Sequence, residues 1–405
     1  MDRVLTEKHI ALGVTGSIAC YKAVDLASKL TQLGALVDVL MTPSAARFVS
    51  PLSFRGVTGR AVFVDMFDPE SETAEQHVVI ARRAAGMIIA PASATTIARL
   101  ANGLAEDMVS LTALATTAPI VVAPAMDHQM WEHPATQHNL RTLQARGALV
   151  VGPEEGRLAS GHTGMGRLAE TPALIAALKT AMGRHGDLAG RRIVVTAGPT
   201  REAIDTVRFI SNYSSGKMGF AVAEAARDRG ATVTLVTGPT ALPEPWGVMT
   251  VHVQTTAQMA EAVASACEDA DAIVMAAAPS DFRPAEVASR KIKRTGEEVT
   301  IRLAPNPDII AGLPGDRLIK VGFAAESEDV LENAEAKVAR KGLAFIVAND
   351  VTAPGSGFGT DTNQVVFIEA SGRREHLPLL PKSEVAHRIL DRVVELLRER
   401  EGTRA

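Results

Sequence analysis

The chain writes the same short grammar twice, and that repetition restricts its fold more than any other feature. An apolar run over residues 9–15 breaks at Gly16-Ser17. Ala23, Leu26, Ala27, Leu30 and Leu33 then recur at helical spacing until Gly34 stops the helix. A second run follows at 35–42, with others at 86–91, 120–124 and 148–151. From Arg192 the pattern restarts: a run over 192–197, a helix over 217–229, Gly230, and a run over 232–237. Later runs at 272–277, 318–323 and 343–348 alternate with helices around 257–267 and 330–340. Apolar strands that alternate with helices need cover on both faces, so the spacing predicts doubly wound parallel sheets.

Between residues 180 and 192 the sequence turns polar and glycine-bearing (TAMGRHGDLAGRR), the best linker in the chain. The 405 residues are therefore expected to form two domains, 1–186 and 187–405. Runs at 364–370 and 375–379 flank Ser371-Gly372, a hairpin signal. A closing helix over 383–398 should bury Val385, Ile389, Val393 and Leu396. The expected fold class is α/β, with an N-terminal flavodoxin-like or Rossmann-like domain and a C-terminal Rossmann-like domain carrying the late β-hairpin.

Composition removes whole classes of function. A net charge of -4 offers no global basic surface, and 4% aromatics disfavour base-stacking modules, so no nucleic-acid partner is expected. The longest apolar stretches, 86–92 and 119–126, fall well short of the roughly 20 residues that span a bilayer, so no membrane partner is expected either. The chain shows no leader signature, and Cys20 and Cys267 cannot build a disulfide framework, which suits a reducing cytoplasm.

G-V-T-G-S-I-A, residues 13–19, lies at a strand-to-helix turn, where backbone N–H groups and the helix dipole favour a phosphate. Close packing alone would also explain such a turn. G-x-G-x-x-G is absent, and the second strand ends Leu40-Met41-Thr42 without an acidic residue for a ribose diol. That opposes a nicotinamide-dependent oxidoreductase and suits a mononucleotide such as FMN.

Three segments then bring a specific resemblance: Gln76-His77-Val78, the run APASATT at 90–96, and PAMDHQMW at 124–131. In order and context they are similar to the flavin-containing cysteine decarboxylases. With its second half included, the chain resembles the bifunctional phosphopantothenoylcysteine decarboxylase/phosphopantothenate–cysteine ligase family of coenzyme A biosynthesis over nearly all its length. The resemblance implies oxidation of the substrate thiol to a thioaldehyde, loss of the neighbouring carboxylate as carbon dioxide, and return of the electrons. FMN would sit against Gly16, Ser17, Thr42, Ala92, Ser93 and Ala94. His77 matches the catalytic histidine, and Met126 and Met130 match positions lining the substrate.

In the second half, TAGPTRE at 196–202 and DTVRFISNYSSGKMG at 205–219 form a dense small, polar and basic run leading into a helix. Such a segment can wrap a triphosphate. It is not a Walker A loop, because Ser211 takes the place of the first glycine and Met218 follows Lys217. The run resembles the ligase signature, in which Asn212 matches the asparagine that holds an acyl-nucleotide. By the same resemblance Ala276, Ala277 and Asp281 lie at the nucleotide, and Lys291 belongs to a mobile basic segment that meets the transferred phosphate. Asn306, Pro307, Asp308, Ile309, Phe323 and the helical pair Lys337 and Lys341 complete the match. The implied reaction transfers cytidylate from CTP to the phosphopantothenate carboxylate, after which the amine of cysteine attacks. Mg2+ is required to bridge the phosphates, with no protein ligands assigned. The family forms symmetric oligomers with shared sites, so a homo-oligomer is expected.

Two positions depart from the decarboxylase pattern. Asp127 stands where many members carry an asparagine that donates to the substrate carboxylate. An ionised aspartate only accepts, so it must be protonated, or be offset by His128 or another cation. Ser160 stands where the family has a cysteine that protonates the enethiolate. Either His162 or a water held by Ser160 donates that proton, or reduction is impaired and the oxidised enethiol accumulates. Asp127 and Ser160 thus join His77, Asn212 and Lys291 as the expected catalytic residues. The alternative is a ligase whose flavin half is a regulatory or scaffold module.

Overall fold

The structure, a computed structural model, describes residues 2–67, 75–294, 296, 298–313, 317–326, 330–350, 355, 357 and 359–402. The chain divides into two compact units, Met1–Arg184 and His185–Ala405.

In the first unit six strands form one sheet: β1 (His9–Val14), β2 (Leu36–Met41), β3 (Val62–Phe63), β4 (Gly86–Ala92), β5 (Ile120–Pro124) and β6 (Leu149–Val150). Their order is β3-β2-β1-β4-β5-β6, and every neighbouring pair is parallel. The helices are α1 (Cys20–Gln32), α2 (Pro43–Ala46), α3 (Pro51–Thr58), α4 (Gln76–Arg83), α5 (Ala94–Asn102) and α6 (Met108–Ala115). They continue with α7 (His128–Glu132), α8 (Pro134–Ala145) and α9 (Thr171–Gly183). Every residue of β4 is buried, as a central strand covered on both faces requires. Strand order reverses between β1 and β4, and a doubly wound sheet opens its ligand crevice at that point, beyond the strands' carboxyl ends. A hairpin off the sheet, β7 (Glu154–Arg157) and β8 (Thr163–Arg167), folds beside that end.

The second unit repeats the logic with β9 (Arg192–Ala197), a small hairpin of β10 (Arg201–Ala203) and β11 (Phe209–Ser211), and α10 (Lys217–Arg227). Then come β12 (Thr232–Thr237), β13 (Met249–His252), α11 (Thr256–Ala266), β14 (Ala272–Met275) and a ribbon of β15 (Phe282–Pro284) and β16 (Leu303–Pro305). The chain goes on through β17 (Ile319–Glu326), α12 (Val330–Lys341), β18 (Phe345–Asp350), β19 (Thr362–Asn363), β20 (Val365–Glu369), β21 (Arg374–His376), β22 (Leu380–Pro381) and α13 (Lys382–Gly402). The main sheet runs β13-β12-β9-β14-β17-β18-β20-β21, parallel through β18 and antiparallel beyond it. One core cluster packs α10 and α13 on one face of this sheet, and a second packs α11 and Val338 of α12 on the other.

Several boundaries differ from the sequence reading. Helix α9 continues to Gly183, so the first part of the polar stretch 180–192 is helical, not linker. The last sheet strand is Arg374–His376, shorter and earlier than 375–379, because pairing with β20 ends at His376. Helix α13 buries Ala386, Leu390, Val394 and Leu397 as well as Val385, Ile389 and Val393, while Leu396 is only half-buried. A helix packed against both a sheet and α10 needs a stripe wider than one residue per turn. The segment 201–211, read as part of a phosphate-wrapping loop, contains the β10–β11 hairpin. Strands of three residues are too short to show a period of two.

Candidate active sites

A cavity of about 570 Å3 opens in the first unit where the turns after β1, β4 and β5 converge. Gly16 and Ser17 line it from the first turn, Ser93 and Ala94 from the second, Met126, Asp127 and Met130 from the third, and Ser160 from the hairpin. Thr15 ties two of these turns together: its hydroxyl donates to the Pro91 carbonyl (2.7 Å) and accepts from the Ser93 N–H (2.9 Å). Ser93 is the N-cap of α5, its oxygen accepting from the Thr96 N–H at 3.3 Å. Three expected residues stand outside the lining. Thr42 caps α2, Ala92 is buried in β4, and His77 lies half-buried in the first turn of α4.

Asp127 and Ser160 meet directly. The Ser160 hydroxyl donates to Asp127 Oδ2 (2.8 Å), and Asp127 Oδ1 accepts from the Gln129 N–H (3.1 Å), which makes Asp127 the N-cap of α7. These donors, helped by His162 and His128, hold the carboxyl below the usual carboxylate range. This environment, with no substrate carboxylate beside it, favours the ionised form of Asp127. The hairpin is seated by backbone: the Met126 N–H donates to the Gly166 carbonyl at 3.0 Å. Gly166 has φ +153°, and a Cβ there would stand 2.1 Å from the Met126 carbonyl oxygen, so only glycine permits this seating.

Sequence reasoning missed the cationic wall of this cavity, formed by Lys22, Arg157 and Arg167. Lys22 and Arg167 both reach Glu170. Arg157 and Arg167 lie at opposite ends of one hairpin, paired with Thr163 and Glu154 respectively, and its glycine-rich sequence gave no sign of either.

The second cavity, about 350 Å3, lies past the carboxyl end of β14. Ala277, Asp281, Asn306, Pro307, Asp308, Ile309, Phe323, Lys337 and Lys341 all line it, whereas Ala276 does not. The two lysines share a face of α12, as their spacing of four requires, and Lys341 pairs with Asp308 at 3.0 Å. Asn306 is fixed by its own amide, which donates to the Ser280 carbonyl at 2.8 Å. Beneath the site runs a buried network the sequence did not reveal. Glu202, 4% exposed, accepts from both the N–H and the hydroxyl of Thr256 at 2.8 Å each, and Thr200 joins Thr256 to the Ser280 N–H. The capping box of Thr255 and Gln258 was the available signal that a helix starts there.

Asn212 lies outside the cavity lining but against its wall, donating from Nδ2 to the carbonyls of Ala278 (3.0 Å) and Pro279 (3.2 Å). Lys291 is exposed and also outside the lining. Among the described residues, no group of three or more His, Cys, Asp or Glu could hold a metal ion, and no helix is long and apolar enough to cross a membrane.

Comparison with known proteins adds the family. The Flavoprotein model matches residues 2–183, and the model of the DNA/pantothenate metabolism flavoprotein C-terminal domain matches residues 188–397. The coenzyme A biosynthesis bifunctional protein CoaBC of Haemophilus influenzae is 44% identical over 394 residues, covering 96% of this chain and 98% of that protein. The CoaBC protein of Bacillus subtilis is 43% identical over 401 residues, covering 98% and 99%. A solved C-terminal domain of a CoaBC protein is 41% identical, with a TM-score of 0.46, and covers 53% of this chain and 99% of that one. With such identity sustained from end to end and both domain models matched, the chain belongs to the CoaBC family of bifunctional coenzyme A biosynthesis proteins.

Proposed function

We propose that residues 187–405 condense 4'-phosphopantothenate with cysteine at the expense of CTP, and that residues 1–186 decarboxylate the product to 4'-phosphopantetheine with FMN. The observation that carries this reading is the end-to-end match to bifunctional relatives in a chain that has a cavity in each of its two units.

In the ligase half, CTP transfers cytidylate to the phosphopantothenate carboxylate and releases pyrophosphate. The cysteine amine then attacks the acyl carbon and CMP leaves. Lys337 and Lys341 suit the polyphosphate, and Lys291 neutralises charge growing on the transferred phosphate. Asn212 has both amide hydrogens engaged by carbonyls, which leaves Oδ1 to accept from the substrate side. With no acidic cage among the described residues, Mg2+ would be held chiefly by the phosphates themselves.

The first cavity fits FMN by its donor set: hydroxyls and helix N-termini at Ser17 and Ser93, cations at Lys22 and Arg157, and apolar surface at Met126 and Met130. When bound there, FMN would supply the two-electron redox chemistry for the substrate thiol. Asp127 accepts hydrogen bonds, and His162 and His128 offset its charge. The Ser160 hydroxyl donates to Asp127 and keeps its lone pairs to hold a water, so the proton for the enethiolate would come from such a water or from His162. His77, outside its own chain's cavity, would act in a neighbouring copy within a cytoplasmic homo-oligomer.

Serine at the proton-donor position favours a second reading, in which the flavin half releases the oxidised enethiol. Mass analysis of the decarboxylation product separates the two. Reduced phosphopantetheine supports the full decarboxylase, a product two hydrogens lighter supports the second reading, and absence of carbon dioxide release leaves the flavin unit a scaffold.

A further inference from the structure

We propose that Asp205 is the positioning residue for Lys291. The inference rests on the role given to Lys291 above. Between Asp281 and Asn306 the chain leaves the second cavity and returns to it, its two feet joined by the Asn306 N–H donating to the Asp281 carbonyl at 2.8 Å. Lys291 rides on this excursion. The Asp205 side chain, with no exposed surface, divides its two oxygens between two tasks. Oδ1 accepts from the N–H groups of Val207 (2.8 Å) and Arg208 (2.9 Å) and so builds the turn joining β10 to β11. Oδ2 accepts from Arg208 Nε (3.0 Å) and from the N–H of Ile292 (3.1 Å), the residue after Lys291. Arg208 Nη2 also donates to the Ile292 carbonyl (3.1 Å), and the Ala288 N–H donates to the Ile204 carbonyl (3.0 Å).

Ile292 is thus gripped at both its amide and its carbonyl, from the tip of the hairpin whose other end leads directly into Asn212. One short element sets both residues assigned to the ligation chemistry. A lysine on an exposed excursion must otherwise lose backbone freedom each time it meets the developing charge, and a preset backbone removes that loss from the reaction step.

Asp205→Asn separates the two tasks. Its amide oxygen still accepts from residues 207 and 208, while its NH2 group faces the donors of Arg208 and Ile292 and cannot accept from them. Steady-state ligation by the full-length protein is measured for wild type, Asp205→Asn, Lys291→Ala and the double variant. Asp205→Asn is expected to lose roughly ten- to a hundredfold in kcat, with KM for CTP within about twofold of wild type. Lys291→Ala should lower kcat far less in the Asp205→Asn background than alone, since an unheld lysine has little left to lose. Should Asp205→Asn fail to fold, Ile292→Pro, which deletes the held N–H and keeps the turn, carries the same expectation. An unchanged or raised kcat in Asp205→Asn, or an equal Lys291→Ala loss in both backgrounds, would overturn the proposal alone. An unchanged kcat in the single variant Lys291→Ala would overturn the role of Lys291 and the proposal with it.

Discussion

Asp127 and Ser160 form a pair whose protonation follows from their contact. The Ser160 hydroxyl and the Gln129 N–H lower the carboxyl's pKa on folding. Their stabilisation of the hairpin is therefore fully present above the unfolded value of about 3.9 and is lost as the pH falls through the lower folded value. Ser160→Ala removes the largest of these causes, so Asp127 should titrate closer to an ordinary carboxylate when followed by carbon-detected NMR. An Asp127 titration unmoved by that substitution would contradict the assignment. The sequence disclosed both residues as departures from a family pattern, but not that they touch. They lie 33 positions apart, and only the return of the β7–β8 hairpin onto the β5 turn joins them.

At the scale of elements, the same hairpin closes one wall of the first cavity and depends on the glycine at 166. Gly166→Ala would drive a methyl group into the Met126 carbonyl oxygen, and it should destabilise the first unit by roughly 1–3 kcal/mol in thermal unfolding and weaken flavin retention. Unchanged stability and flavin content would show that the hairpin does not need this close seating. Long apolar runs such as β4 and β9, and helices with a clear stripe such as α1, were readable because burial on a regular element leaves a regular period. The β7–β8 and β10–β11 hairpins were not, because their strands are too short or too rich in glycine to carry one. Those hairpins bring together Asp127 with Ser160 and Asp205 with Ile292. The cavity-lining pair Lys337 and Lys341 was legible because both lie on one helix, whereas the Glu202–Thr256 network joins β10 to α11 through two loops and has no local signature.

At the scale of the whole molecule, each unit has its own sheet and its own core. One cluster centres on Met87, Ile89 and Val122 in the first unit, and two cover the faces of the sheet in the second. A fragment spanning 187–405 should therefore fold alone and make phosphopantothenoylcysteine from CTP, phosphopantothenate and cysteine. A soluble, folded fragment without that activity would refute the autonomy of the ligase. The central claim is that one chain performs ligation and then decarboxylation. It is tested most directly by supplying the purified protein with phosphopantothenate, cysteine and CTP while counting pyrophosphate and carbon dioxide together. Equal amounts of both are expected, with no carbon dioxide when CTP is omitted. Pyrophosphate formed without carbon dioxide, or carbon dioxide released without CTP, would contradict it.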